Sequence, residues 1–75
     1  MERYNNGGRS TGAVAYEIVD DGIKVQFQDA TVYLYTNEAT GADNVAKMKK
    51  LAAEGRGLTS FINREVKKRY AKKLR

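Results

Sequence analysis

The sequence contains no cysteine and no histidine among its 75 residues. Without cysteine, disulfide bonds and thiolate metal sites are excluded. Without histidine, the chain lacks the side chain that ordinarily acts as a general base near neutral pH and as a metal ligand. No apolar run approaches the roughly 20 residues that span a bilayer, and the polar beginning lacks the layout of a secretory signal. We therefore expect a cytoplasmic protein that is not an enzyme, uses no metal or cofactor and binds no membrane.

Charge is distributed unevenly along the chain, whose formal net charge is +5. Residues 1–45 contain three cations and seven carboxylates, whereas residues 46–75 contain eleven cations and two carboxylates. Charge concentrated in one segment attracts polyanions more strongly than the same charge spread evenly. Lysines also occur on solvated helix surfaces, where cations near a helix C-terminus interact favourably with its dipole. Charge alone therefore leaves nucleic-acid binding and simple solvation as alternatives.

Alternating apolar residues predict three strands, over residues 13–19, 23–28 and 31–36. Asp20-Asp21-Gly22 predicts the first reversal, with Gly22 able to adopt a positive φ, and Asp29-Ala30 predicts the second. These strands form an antiparallel meander in our prediction.

Two helices are predicted after the strands. Thr40 or Asp43 caps the first, which runs to about Glu54 and ends at Gly55. The second begins near Leu58 or Thr59 and continues almost to the end of the chain. The predicted fold class is α+β, with a three-stranded antiparallel β-meander followed by two helices packed on one face (βββαα). Residues 13–75 form this single domain, and residues 1–12 are expected to be a disordered N-terminal tail.

Two short patterns suggest enzymes and are rejected. Gly8-Arg9-Ser10-Thr11-Gly12 matches the nucleophile elbow of hydrolases, but it precedes a strand instead of a helix, and the chain has no histidine to serve as the base. The same position rules out a Walker loop, which opens a helix. Asp20, Asp21 and Asp29 are the acids that would hold Mg²⁺, yet all lie at predicted turns, where aspartate ordinarily bonds its own backbone.

The second half supplies a candidate phosphate-binding surface. On a helical wheel Arg64, Lys67 and Lys68 lie opposite the apolar side of the second helix, and Lys72 flanks that side. Other cations project from the first helix and from the glycine-flanked turn between the helices. Together they predict sequence-independent contacts to RNA or DNA. The candidate nucleic-acid-binding residues are Lys47, Lys50, Arg56, Arg64, Lys67, Lys68 and Lys72.

The role of Tyr33 and Tyr35 depends on the register of the second hairpin. A two-residue loop pairs Phe27 with Val32 and places both tyrosines on the outer face, where they would stack RNA bases. A three-residue bulged loop pairs Phe27 with Tyr33 and turns the tyrosines into the core, because a one-residue slip exchanges the faces. We favour the buried arrangement, since tyrosine is common in cores with its hydroxyl at the rim.

The sequence from Tyr16 to Tyr70 resembles the KTSC domain, a short module found at the C-terminus of some lysyl-tRNA synthetases and as a free-standing bacterial protein. The resemblance rests on Phe27-x5-Tyr33-x-Tyr35, Leu51-Ala52-Ala53 and Phe61-Ile62-Asn63-x-x-Val66-x-x-x-Tyr70. It implies RNA binding, a central Tyr-x-Tyr and an asparagine in the last helix, matched by Asn63. The sequence departs from the family at Leu34, between the tyrosines, and at Ala30, where a turn glycine is usual.

Asn63 has two possible roles. Its amide either ties the second helix to the interhelix loop or contacts a ligand, and buried amides usually satisfy nearby backbone groups. The function therefore also has an alternative. The chain is either a nucleic-acid-binding module or a protein-interaction adaptor that uses its outer sheet face and exposed edge strands to bind an acidic partner or one encoded by a phage or plasmid.

Overall fold

The computed structural model describes residues 2–4, 12–66 and 68–75, which contain five strands. The sheet is antiparallel and its spatial order is the chain order. The α+β class is confirmed, but the prediction of three strands is wrong, because one short strand is added at each edge. The strands are β1 (Glu2–Arg3), β2 (Ala13–Val19), β3 (Gly22–Phe27), β4 (Val32–Thr36) and β5 (Lys72–Lys73).

The beginning of the chain belongs to the sheet. In β1, Glu2 pairs with Tyr16, and the following Tyr4 is buried, with 3% of its surface exposed. The hydroxyl oxygen of Tyr4 accepts a hydrogen bond from the backbone N–H of Leu58 at 2.9 Å. The expectation of a disordered tail is therefore wrong for residues 2–4. Burial of one aromatic side chain offsets the conformational entropy that these residues lose when they become ordered. Residues 5–11, including most of the Gly8–Gly12 pattern, lie outside the described residues.

The helices lie between β4 and β5 in the chain. A short helix replaces the predicted connector, and Thr36 caps it by accepting the N–H of Ala39 at 3.1 Å. Gly55 adopts the left-handed conformation that ends the next helix, as predicted. Neither Thr40 nor Asp43 caps that helix, because Gly41 occupies the cap position. The helices are α1 (Asn37–Thr40), α2 (Ala42–Glu54) and α3 (Leu58–Phe61), which continues as a π-helix (Ile62–Val66).

The prediction that the last helix continues almost to the end is wrong, since the described helix ends at Val66. The chain then turns back and β5 pairs with β4, where Leu74 N–H donates to the carbonyl of Val32 at 2.7 Å. Two physical effects favour this strand. The carbonyls of β4 would otherwise lie at an unpaired edge. A helix would also make the like charges of Arg69 and Lys73 neighbours on its surface, because they are four residues apart.

The core lies between the helices and one face of the sheet, here called the covered face, which carries Ile23, Val25 and Tyr35. Val45 and Met48 of α2 are almost completely buried against it. The apolar side of α2 therefore faces the sheet. The remaining buried members of this core are Tyr4, Ala13, Ala52, Leu58, Phe61, Ile62 and Val66.

The hairpin from β3 to β4 has a register that differs from both predicted alternatives. Val25 pairs with Tyr33, two residues away from the predicted bulged pairing. A shift of two residues keeps side chains on the same face, so the predicted burial of the tyrosines is retained. The loop is a turn in which Ala30 N–H donates to the Phe27 carbonyl at 2.9 Å, and Ala30 adopts a φ of 71°. This left-handed residue is the one at which such a bulged loop favours glycine.

Gly22 is required for a reason other than the predicted one. It is not among the described glycines with positive φ, but a Cβ at this position would collide with the carbonyl oxygen of Tyr35. The backbones of β3 and β4 therefore approach closely beside the first turn, which leaves no space for a side chain.

Candidate nucleic-acid interface

The candidate cations of the helical layer are exposed. Lys47 and Lys50 lie on α2 one turn apart, and both point away from its buried residues. Arg56 follows and is exposed between Gly55 and Gly57. These two glycines form the turn between α2 and α3, with φ values of 81° and 87°. Residues three apart are neighbours on a helix surface. The structure thus presents the predicted outer pair of α2 to solvent, with a guanidinium in the turn beyond its C-terminus.

Arg64 is exposed on the π-helix, and its Nε donates to Oε2 of Glu65 at 3.1 Å. This is the one salt bridge found among the described residues. Both side chains are largely solvated, and such surface pairs contribute little to stability. The Arg64 guanidinium can therefore bind a phosphate in place of the Glu65 carboxylate. Lys68 is exposed just after the π-helix, whereas Lys67 lies outside the described residues.

Lys72 is not on a helix, which corrects the prediction of one continuous basic helix face. It lies in β5, paired with Leu34, and Leu34 pairs in turn with Lys24 of β3. These three residues share the sheet face opposite the covered face, here called the open face, since directly paired residues project to the same side. Adjacent strands lie about 4.8 Å apart, so Lys24 and Lys72 are separated by about 10 Å. The predicted cations are therefore divided between the helical layer and the open face.

Tyr33 and Tyr35 project to the covered face and cannot form a stacking platform on the open face. Tyr35 is 1% exposed, whereas Tyr33 is half-buried. Burial raises the pKa of the Tyr35 phenol well above its usual range, and the neighbouring phenols of Tyr33 and Tyr70 raise it further. Desolvation and like-charge repulsion both disfavour a phenolate. Tyr35 is thus a neutral core residue.

An aromatic cluster surrounds Tyr33. Its ring centroid lies 4.4 Å from that of Tyr70, with the planes tilted by 40°, and 5.9 Å from that of Phe27 in an edge-to-face contact. Tyr70 also meets Tyr35 edge-to-face at 6.4 Å. Sequence reasoning placed Tyr70 in the second helix and missed this cluster. Only the strand pairing after Val66 brings position 70 over the two tyrosines of β4.

Asn63 is exposed on the π-helix, so its amide is not the buried connection that one of its predicted roles requires. Residues in the N-terminal part of the chain, Tyr4 and Ala13, bond to the interhelix region instead. Besides the bond from Leu58 to Tyr4, Ala13 N–H donates to Oγ1 of Thr59 at 3.0 Å. Sequence reasoning missed both contacts, because each joins residues more than 40 positions apart.

Asp29 performs the turn role predicted for it. Its Oδ1 accepts the N–H of Thr31 at 3.0 Å, and hydrogen bonds from Thr31 hold the pKa of this exposed carboxyl below its usual value. In the described ranges no three acidic side chains gather as a metal site would require. None of the helices there has the length and hydropathy needed to cross a bilayer.

No family model matches the chain, and no curated protein or solved structure matches it either. The site is therefore interpreted from its own geometry and charge.

Proposed function

We propose that this protein is a small, non-catalytic module that binds RNA or DNA through phosphate contacts. The observation that supports this proposal is the solvent exposure of the candidate cations that the structure describes. Lys47, Lys50, Arg56, Lys68 and Lys72 are all exposed, and none has a carboxylate within 4.0 Å among the described residues. Such cations release counterions from a nucleic acid when they bind it, which favours association.

The placement of the cations suggests how a strand would lie. The helical layer contributes the exposed lysines of α2, Arg56, Arg64 and Lys68. The edge strand β5 contributes Lys72, on the open face beside Lys24. A backbone that runs past the β5 edge would meet cations from both sides of the sheet. Contacts of this kind position a nucleic acid without reading its sequence.

The relation to the KTSC domain is part of this proposal. Ala30 adopts the left-handed conformation at the position where that family usually has a turn glycine, and the Tyr-x-Tyr pair faces the core. Both features support the proposed relation. A nucleic-acid ligand would be met inside the cell, so the cytoplasmic location expected from the sequence belongs to the same proposal.

The second candidate function is a protein-interaction adaptor. It is supported by Ile18 and Leu74, large apolar side chains that are 50% and 38% exposed. The core residues of α2, α3 and the π-helix pack with the covered face, whereas the half-buried Leu34 lies on the open face. Exposed apolar side chains and open sheet surfaces are features of protein-binding sites.

Binding to labelled single-stranded RNA, single-stranded DNA and duplex DNA at two salt concentrations tests the first proposal. We expect log K to fall with log salt by about 0.7 per neutralised phosphate on single strands and about 0.9 on duplex DNA. Lys68→Gln should reduce the slope by about one contact. Arg3→Gln removes an equally exposed cation at the opposite sheet edge and should leave the slope unchanged.

Absence of binding to all three probes at low salt would exclude the nucleic-acid function. Capture of a protein partner that survives nuclease treatment would then favour the adaptor, and loss of all partners after nuclease would oppose it.

A further inference from the structure

We propose that Tyr70 is a base-stacking site, and that the preferred ligand is therefore single-stranded nucleic acid. This inference rests on the proposed nucleic-acid function and names its ligand class. Tyr70 is half-buried, in contrast to Tyr35, and its ring stacks on Tyr33 with a centroid distance of 4.4 Å. The Tyr70 ring contacts Tyr33 at a 40° tilt and Tyr35 edge-to-face. The aromatic cluster thus continues from the buried Tyr35 to the half-buried Tyr70.

The backbone on both sides of Tyr70 is fixed. On one side, the carbonyl of Arg69 accepts the hydroxyl of Thr40 at 2.6 Å. On the other, Ala71 N–H donates to the carbonyl of Leu34 at 2.7 Å. Thr40 is completely buried, so its bond is shielded from competing water. A ring held in place before binding loses little conformational entropy when a base stacks on it.

Cations flank this ring. Arg69, Lys72 and Lys73 are exposed in the same segment, but Lys72 projects to the open face, opposite the face of the Tyr33 ring. Lys73 pairs directly with Tyr33 and so projects to the same face as the Tyr33 ring. Paired residues have Cβ atoms within about 5.5 Å of each other. An aromatic ring beside cations that hold phosphates is the combination that binds single strands, because every unpaired base offers a π-face.

Duplex DNA lacks this interaction, because its bases are already stacked on one another within the helix. The cations alone would bind both forms through phosphates, so the contribution of Tyr70 appears as a difference between them. This difference allows the test to separate base stacking from charge.

The test compares Tyr70→Leu with Tyr70→Phe on labelled oligothymidylate and oligouridylate of about 12 nucleotides, a length within known single-strand site sizes, and on a duplex of equal length. Tyr70→Leu should weaken binding to the single strands by about 5- to 100-fold, which corresponds to the loss of one stacked base. Its affinity for the duplex should stay within a factor of about two, because its charges are unchanged. Tyr70→Phe should bind like the wild type, since the ring is retained.

Tyr16→Leu is the matched control, because it removes another half-buried tyrosine, one that lies in β2. It should leave binding to all probes unchanged. Equal weakening of single-strand and duplex binding by Tyr70→Leu, or no weakening of either, would overturn the inference.

Tyr70→Trp provides a readout that does not depend on the stability of the leucine variant. The chain contains no tryptophan, so the introduced indole is the only one present. Its emission should be quenched by oligothymidylate and left unchanged by the duplex or by inorganic polyphosphate. Salt-dependent binding without quenching would refute the stacking site and leave the proposed function standing. Absence of binding to every probe would refute both.

Discussion

Thr40 donates its hydroxyl hydrogen to the carbonyl oxygen of Arg69 at 2.6 Å, across 29 positions of the chain. Thr40 is the buried polar residue of the described core, with no exposed surface. Its bond attaches the segment after the π-helix to the end of α1, directly before the chain enters β5. This contact therefore helps to fix the place where the basic end of the chain joins the sheet, together with the backbone bonds from Ala71 and Leu74.

Thr40→Val should destabilise the protein by about 1–2 kcal/mol, because it leaves the Arg69 carbonyl without its donor while preserving the side-chain shape. Thr40→Ser, which retains the hydroxyl, is the control and should cost less. Urea unfolding measures both variants. Hydrogen exchange of the Ala71 N–H, which donates to Leu34, should accelerate in the valine variant. Unchanged exchange at Ala71 would show that Thr40 does not hold β5.

Ala30→Gly should stabilise the protein by about 0.5–1 kcal/mol. Ala30 has a φ of 71°. The strain of this conformation in an alanine exceeds the additional conformational entropy that a glycine loses on folding. Ala53→Gly is the matched control, since Ala53 is exposed within α2 and its replacement should destabilise by about 1 kcal/mol. Thermal unfolding of the two variants should shift in opposite directions. A loss of stability in Ala30→Gly would contradict the assigned turn.

Tyr4→Phe should cost about 1–3 kcal/mol, because the N–H of Leu58 loses the phenol oxygen that accepts its hydrogen bond in a buried position. The ring itself is retained, so packing against the core is unchanged. Tyr16→Phe, at a half-buried position in β2, should change the free energy of unfolding much less. Equal stability of Tyr4→Phe and the wild type would mean that β1 does not support the start of α3.

Alkaline unfolding should depend on Tyr35. Burial raises the pKa of its phenol in the folded state above the ordinary value of 10.0, so the neutral form stabilises the fold. This contribution is complete below about pH 10 and is lost as the pH rises further, by about 1.4 kcal/mol per pH unit. Circular dichroism with phenolate absorbance should show Tyr35 ionising together with unfolding.

Tyr35→Phe cannot ionise and should unfold at higher pH than the wild type, whereas Tyr16→Phe should unfold at the wild-type pH. Equal alkaline midpoints for Tyr35→Phe and the wild type would argue against burial of the phenol.

The local elements could be predicted because their signals are local. Alternation at Ile23, Val25 and Phe27 requires only that one sheet face be apolar. The end of α2 at Gly55 likewise depends on one residue that adopts a left-handed conformation without strain. The exposed lysines of α2 follow from the same helical period that buries Val45 and Met48.

The two edge strands could not be predicted in this way. Glu2–Arg3 and Lys72–Lys73 have no alternating pattern of their own, and each is a strand because an existing strand offers unpaired backbone groups. The candidate site differs from the prediction for the same reason. Lys72 was predicted on a helix but lies on the open face, and Tyr70 was predicted in that helix but packs against Tyr33.

By itself, the sequence determined the α+β class, the meander from β2 to β4, the C-terminal end of α2 and the concentration of positive charge after residue 45. These properties follow from side-chain periodicity, turn residues and composition, which act over a few residues at a time. The tertiary structure alone decided the hairpin register, the burial of Tyr4, the end of the last helix and the faces on which the cations lie. These depend on contacts between distant residues, whose hydrogen bonds and buried surface outweigh local helix preference.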